Sequence, residues 1–331
     1  MIVGAYAAAP PDLASRPDLE QEWYRRLRQT PGTTGLELPF ASTLHAGGMA
    51  RLAHLLDPAW RNVVTCIPGT GRILPTDPLY GLASNDPAGR RRALTDMRTV
   101  HTEVTALTDL LGEGSVQAIQ LQSAPNRTVA ASSVGAFTAS LAELQALDWR
   151  GAALMVEHCD AFLPEAAWAA QKGFLTLKEE IAAVQDAEAS GTRLGHTLNW
   201  ARSVIETHDP LEASRHAVLL REAGARTALM FSGVSPEATG YGVAWLDAHL
   251  PCAPELSCPG IPENTGAEPT SLLTTEAMGA LLATAGPLMY AGVKVGAAPE
   301  MTSIGQRVQP TLATLGALTT LTAQTRSGSP S

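Results

Sequence analysis

Short apolar runs rich in Val, Ile and Leu alternate along the chain with longer stretches whose apolar positions recur at helical spacing. Eight such runs stand out: Ile2–Tyr6, Gly35–Pro39, Asn62–Ile67, Val116–Gln122, Ala152–Glu157, Arg193–Asn199, Thr227–Phe231 and Leu288–Val295. Most are bounded by Gly, Pro, Asn or Asp, as buried strands of a parallel sheet are. Helices are predicted between them at Pro17–Arg28, Leu44–Leu56, Pro87–Leu111, Ser133–Leu147, Thr176–Ala189, Pro210–Ala223, Thr274–Ala285 and Ile304–Thr325. The first has acidic residues early and arginines late, which complements the helix dipole. The third has Pro87 in its first turn and Gly112 just past its end, the usual asymmetry of helix termini. Val234–Thr270 breaks the pattern: its prolines and glycines predict a long active-site loop rather than a compact helix.

Regular strand–helix alternation predicts an α/β fold, a single-domain (β/α)8 TIM barrel over residues 1–324 with a polar, disordered tail at 325–331. A doubly wound open sheet is the competing architecture. It normally carries a Gly-rich phosphate turn after its first strand. Here Ala7-Ala8-Ala9-Pro10-Pro11 follows instead, a sequence unable to wrap a pyrophosphate in that way.

Composition narrows the class further. Hydrophobic residues are 45% of the 331 positions but aromatics only 5%, so Ala, Leu and Val must fill the core. The net charge is −9, and the one short basic cluster, Arg90 to Arg92, opens a predicted helix as a solvated face. That leaves no nucleic-acid footprint. No uncharged apolar run reaches the roughly 18 residues of a membrane span. The segment Met1–Tyr6 lacks the basic start of a signal peptide. Four cysteines in so long a chain are no disulfide framework. Cys252 and Cys258, six apart without a paired C-x-x-C, read as ordinary thiols rather than a zinc knuckle. The expected location is cytoplasmic.

In a TIM barrel the chemistry sits at the C-terminal ends of the strands. The polar residues predicted there are Glu37, Gln122, Glu157, Asn199, Trp200, Arg202, Ser232 and Lys294. Glu157 follows the apolar run Ala152–Val156, and desolvation there would tune a carboxylate for acid/base work. The alternative is a buried carboxylate paired with Arg202 or Lys294 for structure. Lys294 can serve as an imine nucleophile, a proton carrier or an anion clamp, or as a structural partner of Glu157 or Glu37. Arg202 can hold a carboxylate or phosphate, or pair with Glu206. Trp200 can wall a sugar ring or pack in the core. His158 neighbours Glu157, so it should face the helix layer; His196 reads as structural, and His45 lies on a Gly-rich loop.

Gly35-Leu36-Glu37-Leu38-Pro39, Leu154-Met155-Val156-Glu157 and Gly195-His196-Thr197-Leu198-Asn199-Trp200-Ala201-Arg202-Ser203, taken in strand order, resemble the xylose-isomerase-like TIM barrels. That superfamily comprises sugar isomerases, sugar epimerases and endonuclease-IV-type enzymes, and the resemblance covers nearly the whole chain. It implies a divalent metal held by a Glu on strand five, an Asp on strand six, a His on strand seven and a Glu on strand eight. Glu157 matches the first. Asn199 stands for the Asp, strand seven ends in Phe231-Ser232 without a His, and Lys294 stands where the last Glu is expected. Three of four positions depart, so no cofactor is expected, a divalent metal held through the altered positions being the alternative.

The expectation is a metal-independent sugar or sugar-acid isomerase or epimerase. Glu157 would be its acid/base group, Lys294 and Arg202 would stabilise negative charge, and Glu37, Gln122, Asn199, Trp200, Arg202 and Ser232 would bind substrate. A lyase using Lys294 as a Schiff base and a non-catalytic carbohydrate-binding barrel are the alternatives. The partner is a small-molecule sugar or sugar acid, with neither nucleic acid nor membrane; a homodimer is compatible with the fold.

Overall fold

The structure, a computed structural model, describes residues 1–187, 194–254 and 267–327. Its strands are β1 (Ile2–Val3), β2 (Gly35–Pro39), β3 (Asn62–Thr65), β4 (Val116–Leu121), β5 (Ala153–His158), β6 (Leu194–Asn199), β7 (Thr227–Phe231) and β8 (Leu288–Val293). They pair in sequence order and close into a parallel barrel. The helices among the described residues are α1 (Pro17–Arg28), α2 (Met49–Leu55), α3 (Ile67–Ile73), α4 (Pro87–Leu111), α5 (Val134–Gln145), α6 (Leu177–Ala187), α7 (Trp200–Thr207), α8 (Glu212–Glu222), α9 (Thr275–Ala285) and α10 (Ile304–Ser327). This is the expected (β/α)8 barrel. None of these helices is long and apolar enough to cross a membrane. Cys258 and the tail beyond Ser327 lie outside the described residues.

By internal packing the chain divides into two compact units. The first is Met1–Leu36, Leu198–Arg221 and Thr227–Ser331; the second is Glu37–Thr197 and Glu222–Arg226. In the second unit β3, β4 and β5 pair in register, Thr65 beside Gln120 and Gln120 beside Met155. Val63, Val64, Ile119, Leu121, Leu154 and Val156 are buried on these strands, each contributing about 1.5–3 kcal/mol as an apolar side chain removed from water. Helix α4 shows how a sequence sets its own limits. The Asp86 side chain accepts from the Gly89 N–H at 2.6 Å, Pro87 occupies the first turn, and Gly112 ends the helix at φ +95°. Met97, Val100, Val104 and Leu107 form its buried stripe at helical spacing. In the first unit β8 pairs with β7 on one side and with β1 on the other, Ile2 beside Gly292.

Several expected boundaries move. β1 stops at Val3, and the alanine-rich run from Ala5 to Ala8 turns into a 3-10 helix instead of continuing to Tyr6. Alanine gives an extended strand little side chain to pack and favours helical backbone. β3 stops at Thr65, because Pro68 opens a short helix that takes Ile67 with it. α2 begins only at Met49, after Gly48 at φ +81°. β6 passes without a loop into α7, a helix the periodicity did not predict. Asn199 closes the strand and caps the helix. Lys294 lies one residue beyond β8 rather than within it.

Candidate active site

In the second unit the strand ladder carries a carboxylate to the C-terminal end of β5. Residues two apart on a strand share a face. Gln120 pairs with Met155, so Gln122 and Glu157, each two residues further on, point to the same side. The side chains meet: Gln122 Nε2 donates to Glu157 Oε2 at 2.9 Å, and Thr65 Oγ1 donates to the same oxygen at 3.2 Å. Glu157 is fully buried. An ionised carboxylate in such a place needs fixed donors in place of its water, and adjacent strand ends supply two. Glu37, 1% exposed on β2, stands in register with Val63.

The next residue turns the other way, as predicted. His158 Nδ1 lies 2.7 Å from Glu180 Oε2 on α6, and Ser123 donates to the other Glu180 oxygen. His196 is fully buried too, and neither ring nitrogen has a hydrogen-bond partner among the described residues. Burial first, and then the nearby His158, pull its pKa down to about 3. It is a neutral core histidine. His45 is used locally, its Nδ1 accepting from the Gly47 N–H at 3.0 Å.

The first unit holds a different cluster. Asn199 Oδ1 accepts from Ser232 Oγ at 2.8 Å and, as the cap of α7, from the Arg202 N–H at 3.4 Å. Trp200, the first residue of α7, is fully buried. Arg202 is 1% exposed, and its Nε donates to Asp247 Oδ2 at 3.0 Å. Asp247 lies in the long connection from β7 to α9, and its other oxygen is 3.2 Å from His249 Nδ1. Burial, foremost, lowers the His249 pKa; Asp247 opposes this, while Lys294 and Arg202 add to it. Lys294 is fully buried with Nζ 5.0 Å from the centre of the Tyr6 ring, a cation–π contact of about 0.5–2 kcal/mol. The connection is seated by its backbone. Gly296 N donates to His249 O at 2.7 Å, and a Cβ at position 296 would come within 3.0 Å of Ala248 O.

The structure thus gathers Gln122 with Glu157 in one unit and Asn199, Ser232 and Arg202 in the other. Thr65, Tyr6, Asp247 and His249 join them without having been singled out in the sequence. Thr65 lay inside a run read as continuing to Ile67, and Tyr6 inside one read as strand. Asp247 and His249 lie in the one segment with no periodicity to place them.

The positions at which the superfamily holds its metal do not fit a divalent ion in the first unit. The Asn199 oxygen already receives two donors, one of them Ser232 itself, and Lys294 brings an amine rather than an oxygen ligand. A neutral amide, a hydroxyl donor and a lysine side chain are a poor set for a hard dication.

The same barrel fold occurs in solved structures of low sequence identity. A solved structure titled L-ribulose 3-epimerase superposes with TM-score 0.56 at 14% identity, over 99% of this chain and 97% of that one. A xylose isomerase-like TIM barrel/4-hydroxyphenylpyruvate dioxygenase fusion protein gives TM-score 0.56 at 12% identity, over 98% of this chain and 43% of that one. The chain belongs to the family described as Domain of unknown function (DUF4862), whose profile matches residues 2–310. It is also 33% identical over 299 residues to Uncharacterized protein STM3670 of Salmonella typhimurium (strain LT2), covering 89% of this chain and 88% of that protein.

Proposed function

We propose that the protein interconverts a sugar or sugar acid by moving a proton beside a carbonyl, without a metal. Glu157 is the acid/base group, and Arg202 and Lys294 stabilise the negative charge that develops. The carboxylate takes the carbon-bound proton, the electron pair passes to the carbonyl oxygen as an enediolate, and the resulting acid returns the proton to carbon. Cations suit the enediolate oxygen. Glu37, Gln122, Asn199, Trp200 and Ser232 complete the substrate-binding set in this reading.

The observation that carries it is the anchoring of Glu157 Oε2 by Gln122 and Thr65. Both donors are neutral, so they orient the carboxylate without adding a positive charge of their own. The fold shared with L-ribulose 3-epimerase supports a sugar as substrate. The Tyr6 ring beneath Lys294 Nζ attracts the protonated form of the amine, the form that charge stabilisation requires.

The test is incubation of purified protein in deuterium oxide with a panel of sugars, sugar phosphates and sugar acids, before and after chelation. The expected result is interconversion with deuterium entering beside the carbonyl, indifferent to chelator and reduced about 10²–10⁴-fold in Glu157→Gln. Loss of activity with a stoichiometric metal would overturn metal independence. Binding without exchange would favour a carbohydrate-binding barrel, and a borohydride-trapped adduct on Lys294 a lyase.

A further inference from the structure

Isomerisation of an α-hydroxy carbonyl moves two protons, one between carbons and one between oxygens, and the reading above assigns only the first. The connection after β7 presents a pair suited to the second. Asp247 and His249 are two residues apart, with Nδ1 of the ring 3.2 Å from the carboxylate oxygen, an ion-pair contact whose geometry falls short of a hydrogen bond. A ring that turns Nδ1 to a carboxylate turns Nε2 away from it, and the His249 side chain keeps 17% of its surface accessible.

The pair is held in place by more than its own contact. Arg202, on α7, fixes the second Asp247 oxygen. Trp245 and His249 both adopt left-handed backbone, at φ +60° and +56°, a conformation that non-glycine residues keep only where the surroundings impose it. The Trp245 ring stacks on His208 at 3.9 Å and 6°, the Trp245 backbone N–H donates to Ser235 O at 2.8 Å, and Leu250 bridges Gly233 in both directions. Gly296 receives the turn at the end of β8. Strained backbone clamped on both flanks of one Asp–x–His segment marks a site built to hold those two side chains.

We propose that His249 carries the oxygen-bound proton of the substrate, with Asp247 as its positioning residue. Neutral Nε2 accepts the proton of the hydroxyl beside the carbonyl, the imidazolium formed is held by Asp247, and the same proton passes to the neighbouring oxygen, so that His249 ends neutral and no co-reactant is consumed. The carbon-bound proton stays with Glu157. The substrate class is therefore an α-hydroxy aldehyde or ketone rather than one lacking the adjacent hydroxyl. This inference rests on the proposed isomerase reading.

Two measurements on the full chain test it. The first is the two-bond proton–nitrogen spectrum of protein labelled with 15N-histidine, near neutral pH. A neutral His249 with its proton on Nδ1 in the wild type, losing that preference in Asp247→Asn, is expected. A proton resident on Nε2 in the wild type overturns the proposal. The second is His249→Gln, which keeps a polar side chain of similar size if Asp247→Asn does not fold. Turnover is expected to fall about 10²-fold with KM nearly unchanged, while Glu157-dependent deuterium exchange beside the carbonyl continues. Unchanged turnover with intact exchange overturns this inference alone. A wild type that exchanges no sugar of the panel overturns the isomerase reading, and this inference with it.

Discussion

Glu157, near the end of β5, and Arg202, in the first turn of α7, are both buried ionisable groups, and the two units fix them by opposite means. Glu157 Oε2 is held by a carboxamide and a hydroxyl, Arg202 Nε by a carboxylate. Hydrogen bonds from neutral donors such as these weaken, without stranding a charge on the donor, when a carboxylate gains a proton. A guanidinium locked to a carboxylate cannot change charge, and separating that pair exposes each partner to a medium that solvates it poorly. The first arrangement suits a group that must change state during turnover, the second a fixed support.

The contrast can be broken most forcefully on the Arg202 side. Asp247→Ala is expected to lower unfolding free energy by about 3–5 kcal/mol, measured by denaturant titration. The double variant Arg202→Met with Asp247→Leu is expected to be less destabilised than Asp247→Ala, because no charge is stranded; equal or greater loss would mean that the pair itself supplies the stability. On the Glu157 side Gln122→Leu is expected to cost less, about 1–3 kcal/mol by the same titration, for one lost neutral donor. It should also loosen the carboxylate enough to lower turnover.

His196 sharpens the comparison from the pH axis. Its folded pKa of about 3 lies below the ordinary histidine value of 6.5. The unfolded chain therefore binds a proton between these values that the folded chain refuses. The stability tied to neutral His196 is complete above pH 6.5 and is lost as pH falls toward 3, at up to about 1.4 kcal/mol per pH unit. His196→Leu should flatten that acid limb in unfolding curves taken across the window. An unaltered slope would mean that other groups set it. The smallest effect expected is at Asp86→Ala, which removes the cap of α4 and should cost about 1 kcal/mol in thermal or denaturant unfolding, with turnover untouched.

The strand–helix alternation made the barrel legible, because buried parallel strands and amphipathic helices leave different periods. The candidate carboxylate was legible for the same reason: Glu157 ends an apolar run, and alternation alone turned His158 toward the helices. Failures fell where no period operates. Asn199 reads as the end of a strand, and nothing local announces that its side chain also starts a helix. Asp247 and His249 sit in aperiodic chain, so their approach to Arg202 depends on long-range backbone contacts such as that from Gly296 to His249. Tyr6 was hidden by a β1 shorter than its composition suggested.

Asn199 also bears on how reversible this site is. Aspartate caps a helix as well as asparagine does, and a negative charge at the start of α7 would be favoured by the helix dipole, by about 0.3–1 kcal/mol. Asn and Asp codons differ by one nucleotide. The cap geometry of α7 accepts either side chain, and what separates them at this fully buried position is whether a charge must be held without water.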